Sequence, residues 1–173
     1  MPQTLVFLHQ KVRPKHPFLG RRIYPLDVRL LNRLLVPVDG STYAKRALEF
    51  AIGLAKICGS TITIMYVVPR RVYVAAQEAG FIPVPALIHD LEELGKEVLE
   101  EAEDMVQTAG VKSVEKVLIH GIPAEEILKT SDVGKYDMIV IGSRGRTAAK
   151  AFILGSVSHK VSHHAKCPVL IVK

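Results

Sequence analysis

The sequence has no tryptophan, only two cysteines, and an aromatic content of 6%. Cys58 and Cys167 are too few for a disulfide framework and stand in no metal-ligand spacing, which points to a reducing cytoplasm. No apolar run approaches the roughly 18 residues needed to span a bilayer. The apolar stretch Thr4–Leu8 is far too short for a signal-peptide core. Neither a Walker loop, G-x4-G-K-S/T, nor a dinucleotide fingerprint, G-x-G-x-x-G, occurs in the chain. The two best-known glycine-rich phosphate loops are therefore excluded.

Charge of one sign is missing from the body of the chain. The net charge is +6. Residues 1–33 carry seven basic residues (Lys11, Arg13, Lys15, Arg21, Arg22, Arg29 and Arg33) against Asp27 alone, so the remaining residues balance. A basic isoelectric point argues for nucleic-acid binding only when a folded surface carries the charge. Nucleic acid is accordingly not expected as a partner of the neutral body. The division expected is a basic N-terminal extension, residues 1–33, poorly ordered or loosely docked, and one domain over residues 34–173. Contact of the extension with a membrane or nucleic acid is left open.

From Leu34 onward the pattern is regular. Leu34–Val38 is an apolar run ending in Asp39-Gly40-Ser41, and Ala44, Ala47, Leu48, Ala51, Ala55 and Cys58 follow at helical spacing up to Gly59. Ile62–Val68 reads as a strand, and a loop marked by Gly80, Pro83 and Pro85 is expected behind Pro69. A long amphipathic helix has Leu87, Leu91, Leu94, Val98, Ala102, Met105 and Ala109 as its stripe, Gly110 at its C-terminal cap and an acidic opposite face read as solvated. Val114–Ile119, Met138–Ile141 and Val169–Val172 read as strands, with helices after Pro123 and over about 155–165. Five strand-like runs, largely continuous in Val, Ile and Leu and alternating with helices, imply a parallel sheet covered on both faces. Pro37 is expected where the first strand's ladder is finishing.

Two loops at the carboxyl ends of strands stand out, since ligands of such sheets bind there. One is Asp39-Gly40-Ser41; the other is Gly142-Ser143-Arg144-Gly145. Glycines let backbone N–H groups approach phosphate oxygens, and positive φ would shape a nest for an anion. Gly155-Ser156 opens a helix whose N–H groups and dipole favour a negative group, with Ser156 and Ser158 as hydroxyl donors. The bland alternative is that each glycine serves a turn or a cap, and that Asp39 caps the turn after it. His159 and His163, four apart, lack a third ligand and are read as complementing a helix C-terminus rather than holding metal. Arg70 and Arg71 are read as a solvated pair.

The spacing Gly142-x2-Gly145-x9-Gly155-Ser156, with LLVPVDGS, HGIPAEEI, DMIVIGSRG and HHAKCPVLIV around it, resembles the universal stress protein family in its ATP-binding form. The resemblance covers Leu34–Lys173. It implies an adenine-nucleotide alpha-hydrolase-like, Rossmann-like fold with five parallel strands in the order 3-2-1-4-5. It implies ATP as ligand, with Mg2+ bound through the phosphates, and a cytoplasmic homodimer paired through the C-terminal strand. Carried over position by position, it sets Pro37 and Asp39 near ribose and adenine and the backbone of Val67 at the adenine edge. Ile141 and Gly142 then begin the phosphate loop, and Gly145, Gly155, Ser156, Val157 and Ser158 contact phosphate. Arg144 and Arg146 are added as phosphate contacts from their charge. The function implied is a nucleotide-dependent switch or sensor in a stress response. The loops hold no Walker lysine and no histidine–acid pair, so efficient hydrolysis is not expected. A slow ATPase or autophosphorylating enzyme, and an interaction module binding AMP or another adenine nucleotide, are the alternatives.

Overall fold

The computed structural model describes residues 31–79, 84–146 and 154–173. The elements run β1 (Arg33–Pro37), α1 (Thr42–Cys58), β2 (Thr61–Pro69), α2 (Arg70–Ala79), α3 (Val84–Thr108), β3 (Val114–Gly121), α4 (Pro123–Val133), β4 (Met138–Gly142), α5 (Ser156–His164) and β5 (Val169–Val172). All pairings are parallel, in the order β3-β2-β1-β4-β5. The order expected from the resemblance is thus the order found.

Alternation along the strands sorts the core into two layers. Leu34, Val36 and Val38 face one cluster with Ala47, Leu48, Leu99 and Val106 of α1 and α3. Leu35 faces the other with Ala124, Ile127 and Val161 of α4 and α5. Residues 34–36 are wholly buried, as an interior strand covered on both sides requires. Pro37 is the last residue of β1, opposite Met65, and the next ladder bond is made by Val38 N–H to the Met65 carbonyl at 2.8 Å. The missing proline N–H is therefore no break in the ladder.

At the opposite end of the sheet, Asp137 ties β1 to the approach of β4. Its Oδ2 accepts from the N–H groups of Asn32 at 2.8 Å and Arg33 at 2.9 Å. Arg33 begins β1 and lies 4.6 Å from the Tyr136 ring. The ordered body thus already includes residues counted with the basic extension; residues 1–30 of that extension lie outside the described residues.

The segment behind β2 is helical where a loop was expected. A helix, α2, starts at Arg70 directly behind Pro69, and α3 starts at Val84, so Pro85 lies in a helical first turn. Proline fits there because the first N–H groups of a helix have no intrahelical acceptor. Gly80 and Pro83 lie outside the described residues, as does the side chain of Arg71. The acidic face of α3 is not simply solvated: Glu101 pairs with Lys45 at 3.3 Å, Glu92 with His120 at 2.8 Å, and Glu103 with Lys116. Ion pairs at the surface of this kind add little to stability.

Candidate functional site

The crossovers from β1 and from β4 leave the sheet in opposite directions. α1 packs with α3 on one face and α5 with α4 on the other. A crevice must open between the two connections at the carboxyl ends of β1 and β4, which is where ligands of doubly wound sheets bind. Both loops singled out in the sequence meet there.

The β1 loop is held by its own side chains. Ser41 caps α1, its Oγ accepting from Ala44 N–H at 3.2 Å. Gly40 turns with φ of 77°, a conformation favouring glycine. Asp39 Oδ1 accepts from Ser41 N–H at 3.0 Å, the local turn expected of an Asp-Gly pair. The other oxygen leaves the loop altogether: Oδ2 accepts from Arg146 N–H at 3.1 Å, across 107 positions of sequence. One carboxylate therefore fastens the loop after β1 to the loop after β4.

Positive φ was expected at the glycines of the second loop and is not found. Among the described residues the positive-φ glycines are Gly40, Gly59 and Gly110. Gly142 and Gly145 are small for another reason. A Cβ on Gly142 would stand 2.7 Å from the Tyr43 carbonyl carbon, inside the first turn of α1. A Cβ on Gly145 would stand 2.6 Å from Asp39 Oδ2. Close approach of protein to protein, rather than backbone handedness, sets both positions.

Gly155 is the N-cap of α5, with no side-chain cap, and its own N–H donates to the Ser143 carbonyl at 2.8 Å. The first N–H groups of α5, on Ser156, Val157 and Ser158, have no intrahelical acceptor. Ser156 is exposed beside them. Such a terminus suits an oxyanion or phosphate. Ser158 is different: it is buried, and its hydroxyl lies 2.9 Å from the Ser143 carbonyl and 3.0 Å from that of Gly155. Its donor is committed to the loop, which it braces. The motif's spacer residues 147–153 lie outside the described residues.

Three features escaped the sequence reading. The Arg144 guanidinium lies 5.7 Å from the Tyr43 ring and Nη1 donates to the Tyr43 hydroxyl at 3.3 Å, which fixes a positive charge at the mouth of the crevice. Tyr66, on β2, is buried near Arg146 and Asp39; burial raises its phenol above the ordinary value, against the Arg146 charge and with that of Asp39. The Asp39–Arg146 bond uses a backbone donor, for which residue type carries no signal. Val67, by contrast, is half-buried toward the α4–α5 side, and Ile141, on β4 across β1 from it, is buried in the same cluster.

A cavity of about 40 Å³ lies between α1 and α3, lined in part by Val38, Gly40, Ala44 and Val98. It is too small for a nucleotide, whose sites run to hundreds of Å³. Among the described residues no group of three or more His, Cys, Asp or Glu side chains is placed to hold a metal. The rings of His159 and His163 lie with their centroids 4.7 Å apart, tilted by 48°. Cys167 packs beneath α5, where burial raises its thiol.

A family model described as the universal stress protein family matches residues 31–173. The chain belongs to that family. The universal stress protein YxiE of Bacillus subtilis is 37% identical over 150 residues, 83% of this chain and all of the relative. Among solved structures, the hypothetical protein MJ0577, a structural test case for assigning biochemical function, superposes with a TM-score of 0.73 at 28% identity, covering 83% of this chain and 96% of that one. A universal stress protein solved in complex with cAMP has a TM-score of 0.59 at 25% identity, covering 82% and 96%. Universal stress proteins therefore share the sheet order found here, and one of them holds an adenine nucleotide. No described helix is long and apolar enough to cross a membrane.

Proposed function

We infer that this universal stress protein binds an adenine nucleotide, ATP in the first instance, across the carboxyl ends of β1 and β4, and acts as a nucleotide-dependent switch or sensor in a stress response. The observation that carries the reading is the meeting of the uncapped N-terminus of α5 with the Gly142–Gly145 loop and Asp39 in one crevice. The residues fit the ligand: α5 offers free N–H groups and the Ser156 hydroxyl to phosphate, and Arg144 brings a fixed positive charge. Pro37, Asp39 and Val67 would border the nucleoside, with Ile141 and Gly142 as the floor of the phosphate loop and Gly145, Gly155, Ser156 and Val157 around the phosphates. Ser158 would act from behind, by shaping the loop. Mg2+ would be held chiefly by phosphate oxygens and water, as that ion commonly is.

No base for attack on the γ-phosphate stands out. Asp39 is already accepting two backbone N–H groups, so binding is the activity proposed and hydrolysis, if present, would be slow. The relative solved with cAMP favours one second reading, in which AMP or a cyclic nucleotide is the resident ligand. A cytoplasmic homodimer paired along β5 accompanies the proposal. The outer edge of β5, Val169–Val172, is an apolar strand edge that a second copy would cover. Calorimetric titration of the purified chain with ATP–Mg2+, AMP and cAMP tests the reading; absence of binding by all three overturns it. Light scattering tests the dimer, a monomer mass being the contrary result.

A further inference from the structure

We propose that Asp39 is a positioning residue for the phosphate loop, so that the nucleoside end and the phosphate end of the site are coupled through one carboxylate. The proposal deepens the nucleotide-binding reading and rests on it. Three observations support it. Asp39 Oδ1 is fixed by Ser41 N–H at 3.0 Å, which orients the carboxylate from the β1 side. Oδ2 then receives Arg146 N–H at 3.1 Å, one residue beyond the second glycine of the motif. Gly145 has no Cβ where that oxygen lies, since a Cβ would stand 2.6 Å from it. The empty side of Gly145 thus receives a carboxylate of the same chain.

This arrangement opposes simple electrostatics. A carboxylate beside a phosphate site repels the ligand, and its removal should tighten phosphate binding. If the carboxylate instead holds Gly145 and Arg146 where phosphate meets the α5 N-terminus, its removal should weaken phosphate binding. The two effects have opposite sign, so the sign of the net change shows which one governs the site.

Asp39→Asn is that substitution. The asparagine oxygen can keep the bond from Ser41 N–H, but its amide nitrogen replaces Oδ2 and cannot accept from Arg146 N–H. Affinities for adenosine and for ATP–Mg2+ are measured for both proteins by calorimetry. Loss of any contact that Asp39 makes with the nucleoside weakens both ligands equally. Positioning of the loop adds a further loss of about tenfold for ATP alone, the size of one charge-assisted hydrogen bond. An equal loss for the two ligands, or a gain for ATP relative to adenosine, overturns the proposal. The ligand-free protein gives a second reading by amide hydrogen exchange, where Arg146 N–H should exchange about tenfold faster in Asp39→Asn. Unchanged exchange overturns the bond itself. Should Asp39→Asn fail to fold, Gly145→Ala displaces the same oxygen and the same exchange measurement decides. If the wild-type chain binds neither adenosine nor ATP, the nucleotide reading falls and the coupling with it. Binding by the wild type without the split in Asp39→Asn removes the coupling alone.

Discussion

Replacing Gly145 by alanine puts one methyl group against one carboxylate, and the consequence can be worked out from the geometry. The new Cβ would lie 2.6 Å from Asp39 Oδ2, with Asp39 Cγ next at 3.8 Å; among the described residues, its chain neighbours aside, no third atom comes within 4 Å. Gly145 is not among the positive-φ residues, so the alanine backbone is unstrained there. Among the described residues the adjustment needed is for Asp39 to swing away, breaking its bond from Arg146 N–H. That bond is solvent-exposed, so the expected loss is about 1 kcal/mol, that of an ordinary hydrogen bond rather than of a buried charged one. Gly142→Ala is the comparison. Its Cβ would stand 2.7, 2.8 and 2.9 Å from backbone atoms of Tyr43 and Ala44. A helix turn cannot swing aside as a side chain can, and the expected loss is about 3 kcal/mol, the upper range for overpacking. Urea denaturation followed by circular dichroism measures both. In an Asp39→Ala background the obstacle to Gly145→Ala is gone, and its cost should fall to about zero. An undiminished cost in that background, or a cost equal to that of Gly142→Ala, would refute the assignment of Gly145 to the Asp39 contact.

Other substitutions probe the frame that holds the site. Ser41→Ala removes the acceptor of Ala44 N–H at the α1 cap and should lower stability by about 1 kcal/mol in the same urea assay. Leu35→Ala, at a wholly buried position of β1, should cost about 2–5 kcal/mol; a smaller loss would mean that the α4–α5 layer closes over the gap. Alkaline pH should destabilise the chain through Tyr66. Burial holds its phenol above the ordinary 10.0, so above that pH the unfolded chain has released a proton that the folded chain retains, and stability falls as pH rises. Tyr66→Phe should flatten that decline; identical slopes for the two proteins would place the alkaline sensitivity elsewhere.

The legible part of the fold was what periodicity controls. Leu34–Val36 has the continuous apolar character, and the run from Ile62 to Val68 the largely β-branched character, of strands buried on both faces, and Ala44 to Cys58 repeats at helical spacing. The order of the strands came from the family resemblance, since periodicity alone cannot rank neighbours in a sheet. The misreading behind β2 came from local breakers. Gly80, Pro83 and Pro85 behind Pro69 suggested a loop, yet Pro69 directly before α2 and Pro85 in the first turn of α3 are compatible with helices. At the site, the glycine spacing located the loop but suggested positive φ, which Gly142, Gly145 and Gly155 do not have. Their neighbours, Tyr43 and Asp39, come from a segment about 100 positions away, and no local pattern encodes that approach. Arg144 was legible as a charge near phosphate, whereas its seat on Tyr43 was not.

The central claim is that the crevice between β1 and β4 is a nucleotide site. Its most direct test is calorimetric titration of the full chain, stripped of any co-purified nucleotide, with ATP–Mg2+. The account predicts a saturable one-site isotherm that is weakened at least about tenfold by Ser156→Asp, which sets a like charge against phosphate at the α5 N-terminus. A wild-type chain that gives no saturable binding of ATP, AMP or cAMP, or an isotherm unchanged by Ser156→Asp, would contradict it.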